Sequence, residues 1–253
     1  MGAEPSWAQS ILSEYSLFMN PSSIFFGRRY TSLVSDFIPY RPTLVPHDDA
    51  RSRLEAFHTE LEQRRSVRHF SDAPVDRALI ATAIAAASTA PSGAHRQPWR
   101  FVAIADPALK HRIRVAAEAE ERRSYETRMP AAWKEALAPL GTDWRKPYLE
   151  VVPWIVVVFA ENYRLRPDGS RQKNYYVKES VGIACGLFIA ALHRAGLATL
   201  THTPSPMRFL TEILQRPPGE QAMILFPIGY PAPDAVVPDL IRKTLDEVAI
   251  WHE

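Results

Sequence analysis

Arg64-Arg65-Ser66-Val67-Arg68 sets three guanidinium groups within five residues, broken only by a hydroxyl and one apolar side chain. Each guanidinium is a planar fork of donors that matches a phosphate and stays charged at any working pH. A bare charge run is more often a solvated helix end. The next residues favour the other reading: Phe70-Ser71-Asp72-Ala73-Pro74-Val75 leaves the helical pattern abruptly. The cluster therefore lies at an element boundary, where chains tend to place ligand contacts. It is a candidate seat for the phosphate and ring of a bound cofactor.

Working outward, Asp48 or Asp49 caps a helix expected to run to about Arg65, with Leu54, Phe57, His58 and Leu61 on one face. Asp76 caps the next helix, whose Leu79, Ile80, Ala83, Ile84 and Ala87 fall at helical spacing before Pro91-Ser92-Gly93 ends it. Trp99 to Ala105 reads as a strand. Asp106-Pro107 opens a long charged helix to about Arg128, followed by a connection from Pro130 to Arg145 with a helical piece near Trp133. Val152 to Phe159 is continuously apolar and β-branched, as an interior strand is. A polar loop from Arg164 to Lys173 turns at Asp168-Gly169. Tyr176 to Ala195 is a helix apolar almost all round, with Gly182, Ala184, Cys185 and Gly186 allowing another helix to approach closely. Gly196 ends it in the left-handed position. Leu197 to Thr203 reads as a short strand, Ser205 as the cap of a helix to about Leu214, and Ala222 to Gly229 as the last strand, before a Pro-rich return to Glu253. Interleaved helices and strands without a repeat make one α+β domain. No Gly-x-Gly-x-x-Gly follows a strand, so neither a Rossmann nor a P-loop site is supported.

The chain has 253 residues, 46% hydrophobic and 23% charged, so a packed core is expected. A net charge of +2, from 30 basic and 28 acidic residues, is too balanced for nucleic acid or a membrane surface as partner. The one cysteine, Cys185, excludes an intramolecular disulfide and fits a reducing, cytoplasmic compartment; its apolar neighbours suit a buried inert thiol. The run Val181 to Leu192 around it is too short to span a bilayer, and the N-terminus has no secretory pattern. Met1-Gly2-Ala3-Glu4-Pro5-Ser6 fits a loose myristoylation pattern that so short a stretch also meets by chance. The eight histidines are scattered, and no metal site is expected. Residues 1–46 are rich in aromatics, from Trp7 to Tyr40, and in proline. They read as an arm, partly helical from about Trp7 to Met19, that packs on the 47–253 body or on a neighbouring subunit.

Three further segments hold candidate chemistry. Ala90-Pro-Ser-Gly-Ala-His-Arg-Gln-Pro-Trp99 makes a turn whose amides either face outward to donate to a ligand oxygen or simply join a helix to a strand. Thr201-His202-Thr203-Pro204-Ser205-Pro206 gathers hydroxyls at a strand end before a helix, a place suited to an anion or heteroatom acceptor. Glu121 and Tyr125, four apart, share a helix face, and Lys146 returns after the connection. A carboxylate, a phenol and an ammonium can complement a zwitterion; a solvated helix face has the same spacing.

Together these segments resemble the nitroreductase-like flavoprotein superfamily and, within it, the iodotyrosine deiodinase family. The similarity covers roughly residues 60 to 250 and includes Arg64 to Arg68, Ala90 to His95, the set Glu121, Tyr125 and Lys146, Tyr175-Tyr176, Gly182 to Gly186, Thr201 to Pro204, and Val237 to Lys243. The Arg motif marks the superfamily broadly; the lid, at about 118–147, is the specific part. The resemblance implies a central mixed sheet flanked by helices in an intertwined homodimer, with FMN at the subunit interface. Arg64, Arg65, Ser66, Val67 and Arg68 would hold the phosphate and ring edge, with Arg242 reaching the phosphate. Ser92 and Gly93 would line the flavin. Thr201, His202 and Thr203 would run along the ring, with the Thr203 hydroxyl near flavin N5 to favour one-electron steps. Ala94 would offer its amide to a substrate phenolate, Glu121 would take the ammonium, Lys146 the carboxylate, and Tyr125 would close the lid. The implied reaction is reductive dehalogenation of a halotyrosine stacked over reduced FMN, with electrons from NAD(P)H or a reductase. Two features depart from the family pattern: His202 stands where some relatives carry threonine, and the aromatic arm lies outside it. Animal relatives carry a membrane anchor that is not expected here. The competing expectations are a generic NAD(P)H-dependent nitroreductase or flavin reductase without the zwitterion lid, a flavin-consuming synthase of the cobalamin lower ligand, and a non-catalytic flavin-binding protein.

Overall fold

The apolar strand β2 (Trp154–Glu161) sets the layering. Its side chains alternate between faces: Ile155, Val157 and Phe159 enter one core cluster, Val156, Val158 and Ala160 another. Helices cover both clusters, which is why the run reads as continuously apolar. Val156, Val157 and Val158 are fully buried, and each contributes roughly 1.5–3 kcal/mol by leaving water. In this computed structural model, residues 38–41 and 43–253 are described; the expected helix near Trp7 to Met19 and most of the aromatic arm lie outside the described residues.

The sheet runs β1 (Trp99–Ile104), β2, β6 (Glu220–Gly229), β5 (Ala198–Thr199), each neighbour antiparallel. A parallel member follows at the β5 edge: Ser66 bridges Thr199, and the Val67 amide donates to the Thr199 carbonyl at 3.3 Å. The sheet is thereby mixed, and the guanidinium stretch lies along its rim. Under one face sit α3 (Pro107–Arg123), α5 (Tyr148–Val151) and α7 (Arg208–Ile213), giving Ile113, Ala117, Leu149 and Leu210 to the core. Under the other sit α2 (Arg77–Ala87) and α6 (Val177–Arg194), giving Ile80, Ala83, Val181, Cys185, Phe188 and Leu192. α4 (Ala131–Leu137) lies in the connection after α3, and α8 (Leu245–Val248) lies in the tail. β3 (Tyr163–Leu165) and β4 (Arg171–Lys173) pair as a hairpin in the loop that turns at Gly169.

Local chemistry explains the element ends. The carboxylates of Asp76 and Asp106 accept from the amides of Ala78 and Leu109, and Gly196 takes φ 72° after α6. α3 is continued by a π-helical turn, Ser124–Arg128, so the helical rod does reach Arg128. Other expectations need correction. α1 (His47–Glu62) stops before Arg65, because the chain there is extended along β5. Ser205 caps nothing: α7 begins at Arg208, three residues further on, with Met207 at its cap. The strand expected over Leu197 to Thr203 pairs only at Ala198–Thr199 and again at His202. No residue of α1 is buried, and among the described residues no core covers the Leu54–Phe57 face. The side of α6 bearing Ile183 and Leu187 is likewise exposed, and a Cβ added at Gly182 or Gly186 would meet nothing within 4 Å. Among the described residues no helix is long and apolar enough to cross a membrane.

Burial pushes the Cys185 thiol up to about 12. At pH 8 a disulfide-exchange reagent is therefore expected to label Cys185 only after denaturant is added; stoichiometric labelling of the native protein within the mixing time would contradict this placement.

Candidate functional site

The guanidinium stretch and the tail meet at the rim. Arg64, Arg65, Ser66 and Arg68 line a cleft of about 320 Å³ with Val237, Pro238 and Arg242. Arg65 donates to the Pro238 carbonyl, and Arg242 to the carbonyls of Glu62 at 3.0 Å and Arg64 at 2.8 Å. Val67 packs on the core and anchors the stretch. Among the described residues, none of Arg64, Arg65, Arg68 and Arg242 forms an ion pair with a carboxylate. Burial first, then the charges of Arg242 and Arg65, lowers the pKa of Arg64. The buried Nε of Arg68 has no partner. Crowded cations with an orphaned donor and no counter-charge form an anion seat, so the residues present suit the phosphate of FMN.

Beyond β5 the chain passes Thr201, His202 and Thr203. The two threonines are exposed and His202 is buried, the alternation of an extended strand. The His202 side chain thus turns away from the threonine face, and only its backbone stays beside the neighbouring hydroxyls. Its Nε2 lies 3.3 Å from Glu121 Oε1, and Tyr148 meets the ring edge-on at 6.3 Å.

Glu121, near the end of α3, lies beside Lys146, and Tyr125 follows it one turn on. Lys146 is 3% exposed, with its ammonium 3.8 Å from Glu121 Oε2 and 3.3 Å from Thr142 Oγ1. It also donates to the Asp143 carbonyl. Its backbone amide donates to Glu118 Oε1 at 2.7 Å, which ties the end of the connection to α3. The Tyr125 hydroxyl donates to the Thr142 carbonyl at 3.3 Å. Burial tends to raise the Glu121 pKa, but the His202 hydrogen bond and the Lys146 charge outweigh it and leave the carboxyl below its ordinary value. Burial lowers the pKa of Lys146 despite the pull of Glu121 and Asp143. Glu118, Thr142 and Tyr148 support this group without having been singled out in the sequence. Glu118 could have been found from its i,i+3 relation to Glu121; nothing local marks Tyr148.

The Ser92–Ala94 turn lies at the far edge of the sheet, just before β1. Three strand spacings separate β1 from β5, about 14 Å. The turn borders another cleft, of about 460 Å³, which takes in Ala94, His95, Arg96 and Arg164 but none of Arg64 to Arg68. Within one chain, therefore, Ser92, Gly93 and Ala94 are not gathered with the guanidinium cleft. The Ser92 hydroxyl accepts from the Gln97 amide at 2.9 Å, and Ala94 holds a left-handed φ of 49°. Gly93 is pressed on the start of α6: an added Cβ would fall 2.8 Å from Tyr176 Cδ2 and 3.0 Å from the Tyr175 carbonyl oxygen.

The chain belongs to the Nitroreductase family, whose profile matches residues 61–230. Its relatives narrow this to the iodotyrosine deiodinase branch. An iodotyrosine deiodinase of Haliscomenobacter hydrossis is 51% identical over 214 residues, covering 85% of this chain and 96% of that protein. The Danio rerio iodotyrosine deiodinase is 44% identical, covering 84% of this chain and 72% of its own. Among solved structures, an oxidized iodotyrosine deiodinase bound to FMN and 3-iodo-L-tyrosine superposes with a TM-score of 0.67 at 28% identity, covering 77% of this chain and all of that one. A nitroreductase-like protein of Streptococcus mutans shares the fold, with a TM-score of 0.58 at 17% identity and coverage of 79% and 100%.

Gly93→Ala is expected to destabilise the protein by about 1–3 kcal/mol, because the turn must move off α6. The midpoint of urea unfolding measures it; an unchanged midpoint would show that the turn is not packed as described.

Proposed function

We propose that this chain is an FMN-dependent reductive dehalogenase of halotyrosines, converting iodotyrosine to tyrosine and iodide. The observation that carries the reading is the Glu121–Lys146 pair: opposite charges 3.8 Å apart in a largely buried roof beside the guanidinium rim. A solvated helix face would not bury an ammonium to this extent, and removing one partner of such a pair costs about 3–5 kcal/mol.

FMN, when bound and reduced, supplies the two electrons that expel the halogen as halide. Arg64, Arg65, Ser66, Val67, Arg68 and Arg242 hold its phosphate and ring edge, Ser92 and Gly93 line it, and Thr201 and Thr203 flank the ring with the backbone of His202 between them. Thr203, the catalytic residue in this reading, presents its hydroxyl to the ring. Glu121 takes the substrate ammonium and Lys146 its carboxylate, so their mutual pairing gives way to two pairs with the zwitterion. The Ala94 amide donates to the phenolate. Tyr125 closes the lid and excludes water. The ring carbon that loses halide gains a proton, so one carbon–halogen bond and two electrons become one carbon–hydrogen bond and a halide ion.

The site is built across a homodimer. Its two halves occupy opposite edges of one sheet, and the apolar side of α6 with Ile183 and Leu187 and the α1 face with Leu54 and Phe57 are exposed on a single chain. A second copy covers these faces and brings its Ser92–Ala94 turn to the first copy's guanidinium rim. The reductant is NAD(P)H or a reductase, and the setting is cytoplasmic.

Glu121→Gln is expected to weaken 3-iodo-L-tyrosine binding about tenfold or more, while FMN affinity changes far less. Titrations that follow flavin fluorescence measure both. Equal loss of the two ligands would contradict the clamp, and quenching by aromatics without an amino-acid group as strong as by iodotyrosine would favour a generic nitroreductase.

A further inference from the structure

We propose that His202 is a positioning residue that fixes one oxygen of Glu121 and leaves the other free to exchange Lys146 for the substrate ammonium; this rests on the function proposed above. His202 cannot slide. Its amide donates to the Leu225 carbonyl at 2.8 Å and its carbonyl accepts from the Leu225 amide at 2.9 Å, on a strand residue that is completely buried. Its ring, in a residue 5% exposed, reaches α3 through Nε2 and Glu121 Oε1 at 3.3 Å. The ring therefore adds a polar tie between the sheet and the lid-bearing helix, beside the apolar packing of Ile113 and Ala117.

The two oxygens of Glu121 have different keepers. Oε1 faces His202, and Oε2 faces the Lys146 ammonium at 3.8 Å. A carboxylate only accepts, so Nε2 carries the hydrogen and Nδ1 the lone pair. Among the described residues Nδ1 is buried without a partner, so a proton there would meet no acceptor among them. The groups facing the ring are Glu121 from α3, Lys146 from the connection, Arg68 from the guanidinium stretch, and the Tyr148 phenol. Burial foremost, with Lys146 and Arg68, lowers the pKa of His202 against the opposing pull of Glu121. A neutral donor orients Glu121 without cancelling its charge, and the full negative charge stays available to the ammonium. A cation at this position would compete with the substrate instead.

The test uses the FMN-loaded protein and measures dissociation constants for 3-iodo-L-tyrosine and FMN by flavin fluorescence. His202→Leu removes the donor; His202→Asn is polar but too short to reach Glu121; His202→Gln carries an amide N–H near the place of Nε2. Leu and Asn are expected to weaken iodotyrosine about tenfold more than FMN, and Gln to restore it to within about threefold of wild type. In a Glu121→Gln background the Asn change should cost less than about twofold, because the residue acts through that carboxylate. If wild type binds iodotyrosine and the Asn and Leu variants bind it equally well, or if Gln fares no better than Asn, the positioning role is overturned while the proposed function stands. If Leu fails to retain FMN, the Asn and Gln pair decides alone. Wild-type protein that takes up FMN but ignores iodotyrosine overturns the proposed function and this role with it.

Discussion

Positive charge that meets no carboxylate among the described residues is the constraint around which this molecule is arranged. Ser66 pairs in parallel with Thr199, and that pairing lays Arg64, Arg65 and Arg68 along the rim of the sheet. Arg242 comes from the far end of the chain to the same place and is held by the carbonyls of Glu62 and Arg64. Four guanidiniums in one neighbourhood repel, and backbone carbonyls offset only part of that repulsion. An anion such as the phosphate of FMN would complete the arrangement. The tail from Val237 to Arg242 borders the same cleft.

The roof over that rim works by the opposite rule, matched charges taken out of water. Glu121, Lys146 and His202 lie together, and Glu118 and Thr142 hold the backbone and ammonium of Lys146. Buried pairs gain little net stability, because desolvation offsets most of the attraction. In the function proposed for this chain, they stand ready for a ligand that carries both charges. A zwitterion replaces one pair with two and leaves no buried charge alone, whereas a neutral aromatic would leave the original pair as it was. Trp144, flanked by the guanidiniums of Arg122 at 5.4 Å and Arg145 at 5.5 Å, fastens the connection over α3.

The parts legible in the sequence were those decided within a few residues or by simple periodicity. Asp76, Asp106 and Gly196 mark element ends by local hydrogen bonding or backbone freedom. The run from Trp154 to Phe159 announces a strand covered on both faces. Glu121 and Tyr125 share a side because four residues make about one turn, π-helical widening notwithstanding. The misreadings lie where distant contacts override local preference. α1 ends early because Thr199, far along the chain, claims the backbone of Ser66 and Val67. The facing of His202 follows from its pairing with Leu225, which period-two alternation alone leaves undecided. The α1 residues share one apolar face and α6 reads as central, yet Leu54 and Ile183 are exposed among the described residues. The family resemblance, carried by Arg64 to Arg68 and by the lid, supplied the cofactor and the reaction that spacing alone left open.

Rim and roof together imply one chemical act, electron transfer from a flavin to a halogenated phenol held by both ends of its amino-acid group. The most direct measurement is an anaerobic single turnover: the FMN-loaded protein is photoreduced, mixed with 3-iodo-L-tyrosine, and followed for flavin reoxidation and free iodide. The account predicts one iodide and one tyrosine for each flavin reoxidised. A flavin that stays reduced in the presence of bound iodotyrosine, or that reoxidises without releasing iodide, would contradict it.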